Sequence, residues 1–169
     1  MESYLFIVNP ISGNNNKGAL VNAIARTSLT KRFNYSVIYT TGLNDEKRIL
    51  YYINLIRPAK VIVCGGDGTF NLVARLLIET KIPLGIIPVG SANGLATEIR
   101  IPDDINDALD VCLSGKEIEI DAIKLNDSYY AFHISDLGFN ARMITEFEKI
   151  GERGMMAYAK AFFLSLNPS

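Results

Sequence analysis

Residues 60–69 read KVIVCGGDGT and run directly into FNLVARLL at residues 70–77. The first half is a short apolar run typical of a buried β-strand, and the second half has the apolar spacing of a helix. Three glycines and Asp67 lie between them, so free backbone N–H groups and the positive end of a helix dipole are expected to meet there. This construction is typical of a phosphate site and predicts that the chain binds a nucleotide.

Asp67 makes this prediction more specific, because a carboxylate repels a triphosphate. The repulsion is about 1 kcal/mol in water-like surroundings and about 4 kcal/mol at intermediate dielectric. We therefore expect Asp67 to have a chemical role, either near a phosphate-bound Mg²⁺ or as the acceptor of a proton from an attacking hydroxyl. Both roles belong to phosphoryl transfer. The alternative is that Asp67 and Gly68 form an ordinary tight turn, in which this dipeptide is common.

Composition indicates a globular chain of one full domain, with 169 residues of which 49% are hydrophobic. Seventeen basic and eighteen acidic residues give a formal charge of −1, and the basic residues form no run, so nucleic acid is not an expected partner. Cys64 and Cys112 are far apart and are expected to be reduced and buried. No signal peptide and no apolar stretch long enough for a membrane span is evident. We expect a cytoplasmic protein, and leave peripheral membrane association and a homodimer open.

Predicted strands and helices alternate through the first 115 residues, which favours an α/β fold with an open sheet and helices on both faces. The predicted strands are Tyr4–Val8, Tyr35–Tyr39, Val61–Cys64 and Leu84–Pro88. The predicted helices are Gly18–Ser28, Asp45–Ile56, Thr69–Glu79, Ser91–Ile99 and Asp104–Leu113. Each strand is followed by a polar loop that contains glycine, and ligands of open α/β sheets bind at the carboxyl ends of the strands. The nucleotide site is therefore expected on that rim.

The pattern changes after Gly115. Residues 117–125 are predicted to form a strand with a β-bulge near Asp121 and Ala122, because the apolar alternation slips there. A turn at residues 126–128 leads to a second strand, Tyr129–Ser135, which we expect to be antiparallel to the first. This predicts the start of another domain.

Several other residues invite a functional interpretation. Residues 13–18 have the glycine spacing of a P-loop but lack its Lys-Ser/Thr ending, which rejects a P-loop NTPase. Lys17 could reach a phosphate from this loop, although a solvated lysine is the more common outcome. Ser91 and Asn93 could contact phosphate or simply cap a short helix. His133, the only histidine, is expected to be structural.

Seven short segments form a set whose order is informative: Asn9-Pro10-Ile11-Ser12-Gly13, Thr40-Thr41-Gly42, Gly65-Gly66-Asp67-Gly68-Thr69, Pro88-Val89-Gly90-Ser91-Ala92-Asn93, Ile101-Pro102-Asp103, Ile120-Asp121 and Gly138-Phe139-Asn140-Ala141. This set resembles the diacylglycerol kinase catalytic domain family, which also includes sphingosine kinases and bacterial lipid kinases. The glycine–aspartate segment alone is weak evidence, because NAD kinases and phosphofructokinases carry something similar. Its combination with the first and fourth segments is specific.

The resemblance implies ATP and Mg²⁺ as cofactors and a lipid substrate at a membrane surface. It implies an ATP-binding α/β domain over residues 1–116 and the incomplete start of a mostly antiparallel, lipid-binding β domain over residues 117–169. Asp67 is implied as the catalytic residue, close to the Mg²⁺ that ATP carries, and no residue is assigned as a metal ligand. The implied ATP-binding residues are Asn9, Gly13, Thr40, Gly65, Gly66, Asp67, Gly68, Thr69, Asn71, Ser91 and Asn93.

Three departures from the family pattern matter. Ser91 stands where many bacterial members have threonine. Asn140 replaces a common aspartate, and the following helix lacks the acids with which sphingosine kinases recognise an amino group, which argues against a sphingoid substrate. Family members are nearly twice this length, so their late catalytic acid has no counterpart here.

The resulting prediction is an ATP-dependent lipid kinase that transfers the γ-phosphate to a primary hydroxyl of a diacylglycerol-like lipid. We expect the present chain to be a fragment that is inactive alone. The alternatives are an NAD kinase-type phosphotransferase and a nucleotide-binding fragment without activity.

Overall fold

The structure is a computed structural model that describes residues 1–13, 17–91, 93–125, 129–132 and 149. The chain divides into two compact units, Met1–Phe132 and His133–Ser169. The elements below all belong to the first unit. The predictions for His133, for the end of the strand Tyr129–Ser135 and for Gly138–Ala141 lie outside the described residues. The functional division between residues 1–116 and 117–169 stays a prediction.

The alternation of strands and helices expected from the sequence is confirmed in the first unit. In chain order the elements are β1 (Ser3–Val8), α1 (Lys17–Lys31), β2 (Asn34–Tyr39), α2 (Asp45–Ile56), β3 (Lys60–Gly65), α3 (Asp67–Leu77), β4 (Leu84–Pro88), α4 (Gly94–Glu98), α5 (Ile105–Ser114), β5 (Ile123–Leu125) and β6 (Tyr129–Ala131). Among the helices, two starting points differ from the prediction by two or more residues: α3 begins at Asp67 instead of Thr69, and α4 begins at Gly94 instead of Ser91.

The first four strands form a parallel sheet in the order β2-β1-β3-β4. The chain moves outward from β1 to β2 and then crosses back to β3, so the direction of winding reverses between β1 and β3. Loops that leave the two strands at such a switch point separate and open a crevice. The strand ends are level, because Val8 is paired with both Tyr39 and Cys64, and Cys64 is paired with Ile87. The loops that follow the four strands therefore share one rim.

Both faces of this sheet are covered, as expected for parallel strands with nearly continuous apolar sequences. One face packs against α2 and α3 through Leu5, Ile7, Val61, Val63, Ile49, Ile53, Phe70, Val73 and Leu77. The other face packs against α1 and α5 through Phe6, Val8, Ile62, Ile87, Leu20, Ile24, Leu109, Cys64 and Cys112. The two cysteines are free and buried, which confirms the prediction for them. The core thus holds the rim loops on a rigid base.

The last two strands form a small separate sheet. β5 and β6 are antiparallel, with Ile123 paired with Ala131, as predicted. Phe132 follows β6 and meets the α3 residue Phe70 edge to face, at 6.2 Å between ring centroids. The predicted strand over residues 117–122 and its bulge are wrong, because these residues are neither strand nor helix. A strand needs a neighbour for its backbone hydrogen bonds, and residues 117–122 pair with no strand in the described part of the chain.

Candidate nucleotide-binding site

Three loops converge on the rim at the switch point. We call residues 9–13, after β1, the first rim loop; residues 65–69, where β3 passes into α3, the glycine loop; and residues 88–91, 93 and 94, where β4 leads to α4, the third rim loop. The contacts below join each of the three to both of the others.

The glycine loop leaves the N-terminus of α3 open. The amides of Thr69 and Phe70 donate to the carbonyl oxygen of Gly66, each at 3.0 Å, and these are the first hydrogen bonds of the helix. The preceding amides, from Gly66 to Gly68, have no acceptor among the described residues, as is usual at a helix N-terminus. A Cβ atom at Gly68 would have no neighbour within 4 Å. The helix therefore presents N–H groups to open space, which is the arrangement of an anion site.

Asn9 joins the first rim loop to the glycine loop across the crevice. Its side-chain Nδ2 donates to Thr69 Oγ1 at 3.1 Å, and its Oδ1 accepts from the amide of Ile11 at 3.1 Å. Thr69 is buried, and it turns inward because Gly65 has no side chain: a Cβ atom there would lie 2.7 Å from Thr69 Oγ1. The predicted site residues Asn9, Gly65 and Thr69 thus form one structural group.

The first rim loop also packs against the third. Gly13 has φ 56°, and a Cβ atom on it would lie 2.4 Å from the carbonyl oxygen of Val89, so the position requires glycine. Lys17 closes the same loop, because its Nζ donates to the carbonyl oxygen of Ser12 at 2.7 Å and to Ser12 Oγ at 3.2 Å. Burial lowers the pKa of Lys17. This half-buried ammonium shapes the loop and is not the solvated lysine that we considered more common.

The glycine loop and the third rim loop touch backbone to backbone. A Cβ atom at Gly90 would lie 2.5 Å from Gly66 Cα, so Gly90 must be glycine at this distance. Asn93 stiffens the loop, because its Oδ1 accepts from the amide of Gly90 at 2.9 Å and its Nδ2 donates to the Gly90 carbonyl at 3.0 Å. The three rim loops are therefore a mutually braced unit.

Asp67 adds a contact that the sequence did not indicate. Its Oδ2 accepts from the amide of Gly94 at 2.8 Å, and its Oδ1 accepts from the amide of Leu95 at 3.0 Å. These amides begin α4, where Asn93 has the N-cap position but makes no capping bond with its side chain. Asn93 therefore has the N-cap position that was one of its two alternatives, but its side chain is bound to Gly90, and the side chain that accepts from the first amides of α4 is Asp67 of α3.

The other predicted residues are on the rim without joining this braced unit. Thr40 continues the β1–β2 pairing, with its amide donating to the Val8 carbonyl at 2.9 Å, and Ser91 is exposed on the third rim loop. Within the part of the chain that the structure describes, the hydroxyls of Thr40 and Ser91 have no hydrogen-bond partner. Asn71 is an exposed residue of α3. These three side chains remain accessible to a ligand.

Asp45 is a residue of this region that sequence reasoning missed. It is buried, and it accepts from the amide of Thr41 at 2.9 Å and from the amide of Gly42 at 2.7 Å, while Arg48 lies 3.0 Å away. Burial opposes its charge, but these hydrogen bonds and Arg48 outweigh burial and lower the pKa of Asp45. Asp45 thus fixes the loop after β2 beside Thr40. An acidic residue in the first turn of α2, just after Thr41 and Gly42, was the available signal.

The described residues contain no group of three or more His, Cys, Asp or Glu side chains that could hold a metal ion. Asp67 is the one carboxylate on the three rim loops. Mg²⁺ is commonly held by one or two carboxylates together with substrate phosphates, so the donor set fits a Mg²⁺ that arrives on a nucleotide.

Among the residues that the structure describes, no helix is long and apolar enough to cross a membrane.

Comparison with known proteins agrees with this geometry. A family model of the diacylglycerol kinase catalytic domain matches residues 3–125. A relative from Klebsiella pneumoniae (strain 342), described as "Probable lipid kinase YegS-like", is 42% identical over 88 residues, which are 51% of this chain and 30% of that protein. A relative of the same description from Pectobacterium atrosepticum is 38% identical over 111 residues, which are 63% of this chain and 37% of that protein.

A solved structure of a diacylglycerol kinase from Bacillus anthracis str. Sterne has 26% sequence identity and a TM-score of 0.60. That match covers 72% of this chain and 45% of the Bacillus chain. The matched part is therefore less than half of each of these three longer proteins. Because the family model spans most of the described residues, the chain belongs to the diacylglycerol kinase catalytic domain family.

Proposed function

We propose that this chain provides the ATP-binding part of an ATP-dependent lipid kinase, which transfers the γ-phosphate to a primary hydroxyl of a diacylglycerol-like lipid. The observation that carries the proposal is the open N-terminus of α3 at the switch point, with the first and third rim loops braced against it. Membership of the family supports the reaction class. Cytoplasmic location, peripheral membrane association and a homodimer stay predictions.

In this proposal the phosphates of ATP lie over the open amides from Gly66 to Gly68. Thr40, Asn71 and Ser91 contact the nucleotide with accessible polar side chains, and Asp67 is the carboxylate that would face a Mg²⁺ carried by ATP. The remaining residues act through the shape of the loops, and these are Asn9, Gly13, Gly65, Thr69 and Asn93. The protein then contributes mainly alignment and charge neutralisation, which are the main requirements of phosphoryl transfer.

Mg²⁺, when bound, would neutralise phosphate charge as the phosphoryl group is transferred. The residues of this chain would hold the nucleotide in register with the acceptor hydroxyl, and the open amides would stabilise phosphate charge through fixed dipoles. The acceptor lipid is assigned by family alone, since no described residue on the rim identifies a lipid headgroup.

The first test is isothermal titration calorimetry of the chain with MgATP, and with NAD as the competing ligand. The proposal expects saturable binding of MgATP with one site per chain and no comparable binding of NAD. Binding is the primary readout because the chain spans 30% and 37% of the two relatives compared above. Absence of ATP binding would refute the nucleotide site.

The second test is transfer of labelled γ-phosphate in detergent micelles that contain diacylglycerol, alongside a detergent-free reaction with NAD. Labelled lipid supports the lipid kinase. Labelled NAD would instead support an NAD kinase-type phosphotransferase. ATP binding without transfer to either acceptor would mean that this chain holds nucleotide but does not complete the reaction alone.

A further inference from the structure

Among the described residues, the parallel sheet ends at β2 on one side and at β4 on the other. The backbone groups of an edge strand can pair with another chain, so folded proteins usually protect such edges. The β4 edge is protected in two ways. Pro88 has no N–H group to donate, and the carbonyl oxygen of Ile86 already accepts from Cys112 Sγ of α5 at 3.4 Å. β4 is therefore a poor template for a further strand.

The β2 edge has neither kind of protection. Its sequence is NYSVIY over Asn34–Tyr39, which contains no charged residue and no proline. Within the part of the chain that the structure describes, β2 pairs with β1 alone. Charged side chains and proline are common means of keeping an edge strand from pairing, so β2 is open to another strand.

The hydrogen bonds between β2 and β1 show which backbone groups of β2 face outward. The amide of Asn34 donates to the carbonyl oxygen of Glu2 at 2.8 Å. At the other end of β2, the amide of Thr40 donates to the carbonyl oxygen of Val8 at 2.9 Å. Successive residues of a strand direct their N–H and C=O groups to opposite sides, so the even-numbered residues of β2 face β1 and the odd-numbered residues face away. The outward residues are Tyr35, Val37 and Tyr39.

These three residues are spaced so that β2 is complementary to itself. If a second copy of β2 lies antiparallel with Val37 opposite Val37, then Tyr35 lies opposite Tyr39 at both ends of the pair. Each of the three residue pairs can then exchange two N–H···O bonds, about six in all. A shift by one residue would set outward groups against inward ones. The same register places Asn34 opposite Thr40, so no like charges meet along the strand.

The side chains at this edge favour the same register. Tyr35 and Tyr39 are 37% and 42% exposed, and both lie on the sheet face that α1 and α5 cover. The ring of Tyr35 meets Phe6 edge to face, at 6.4 Å between centroids, and so stays beside the edge. An antiparallel second copy would bring each Tyr35 next to Tyr39 of that copy, and cross-strand aromatic pairs are favourable.

We propose that the chain forms a homodimer in which β2 pairs with β2 of a second copy, antiparallel and centred on Val37, so that two four-stranded sheets become one. A two-fold contact of this kind uses the same surface of both copies and is closed, so assembly ends at the dimer. The pairing involves no nucleotide, and its test is therefore separate from that of the proposed function.

The first measurement is the molar mass of the wild-type protein by sedimentation equilibrium, over a wide range of concentrations and without ATP. We expect the mass to rise with concentration from 18.7 kDa to about twice that value and to stop there. A mass of 18.7 kDa at every concentration would overturn the proposal, and so would continued growth beyond the dimer.

Two double variants test the register. Tyr35→Lys with Tyr39→Lys sets lysine opposite lysine at both ends of the pair and should weaken association by about tenfold or more. Tyr35→Lys with Tyr39→Glu removes the same two rings but sets lysine opposite glutamate, and should restore much of the association. The two positions lie roughly 13 Å apart along one strand, so the recovery would come from pairing between copies. Equal association of the two double variants would overturn the proposal.

The control variant is Tyr51→Lys, which changes an exposed tyrosine of α2 that does not belong to the edge. It should leave the molar mass of the wild type unchanged. Weakening as large as that of the double lysine variant would overturn the proposal, because any added charge would then have the same effect.

Hydrogen exchange in the wild-type protein decides the question even if the double variants do not fold. The amide of Val37 should exchange more slowly as the protein concentration rises, because it is bonded only in the dimer. The amide of Gly68, which has no acceptor among the described residues, should exchange at the same rate at every concentration. Exchange at Val37 that does not depend on concentration would overturn the proposal.

Discussion

Replacing Gly68 with alanine separates what a ligand requires from what the fold requires. Gly68 is the second residue of α3, and a Cβ atom there would meet nothing within 4 Å. Glycine in a helix is less favourable than alanine by roughly 0.5–1 kcal/mol. We therefore expect Gly68→Ala to raise the free energy of unfolding by up to about 1 kcal/mol, and Tm by roughly 2–4 °C for a chain of this size.

The same substitution should weaken ATP binding. Cβ atoms of a helix tilt toward its N-terminus, so the new methyl group would enter the space in front of the open amides of α3. A phosphate displaced by this methyl group would lose one or two hydrogen bonds to a charged acceptor, at about 1.5 kcal/mol each. The expected loss of affinity is on the order of 10- to 150-fold.

The assay is a thermal melt and a calorimetric ATP titration on the same preparation of Gly68→Ala. A more stable protein with weaker ATP binding supports the site. A more stable protein that binds ATP as tightly as the wild type would show that the phosphates do not lie at the N-terminus of α3. A less stable protein would contradict the open space found beside Gly68.

Three further predictions concern residues around the site. Gly90→Ala should lower the free energy of unfolding by roughly 1–3 kcal/mol, because the new Cβ atom would lie 2.5 Å from Gly66 Cα; an unchanged urea midpoint would contradict the close loop packing. The pKa of Asp45 is lowered in the folded protein, so the ionised carboxylate stabilises the fold at pH values above 3.8, the ordinary pKa of the group. This contribution is lost as the pH falls through the folded-state pKa. The difference in unfolding free energy between wild type and Asp45→Asn should therefore shrink from pH 7 toward pH 3, whereas an equal difference at both pH values would count against the buried hydrogen bonds. Burial raises the pKa of Cys64 and raises that of Cys112 to about 11. A thiol reagent at pH 8 should therefore label neither cysteine until urea unfolds the protein. Rapid labelling of the folded protein would contradict the burial of the two thiols in the core.

The fold could be predicted where local pattern and tertiary packing agree. The apolar runs of β1 and β3 predicted strands buried on both faces, and the structure covers both faces with helices. The limits of α2 and β4 agree with the prediction residue for residue, because charged residues begin α2 and proline limits β4. The order β2-β1-β3-β4 could not be read from local pattern, since it depends on which crossovers turn back over the sheet.

The strand predicted over residues 117–122 shows how local pattern fails. Ile118 and Ile120 alternate with polar residues, as in a half-buried strand, but they are 58% and 41% exposed. An alternation of apolar and polar residues indicates which side chains could share a buried face of a strand. It does not show that a neighbouring strand is present to pair with the backbone N–H and C=O groups. The antiparallel pair of β5 and β6 did form as predicted, because only three residues separate the two strands in sequence.

The site was predictable as a set of loops, and the Asp67 contact was not. Its partners, Gly94 and Leu95, lie 27 and 28 residues away, beyond the rest of α3 and all of β4. From sequence, the repulsion between an acid and a phosphate predicts that Asp67 has a metal-binding or proton-transfer role. The structure shows another source of compensation, because the amides that begin α4 donate to both oxygens of the carboxylate. The repulsion that Asp67 exerts on a phosphate is therefore partly offset by the adjacent helix, and an acidic residue in such a loop is compatible with nucleotide binding before any metal arrives.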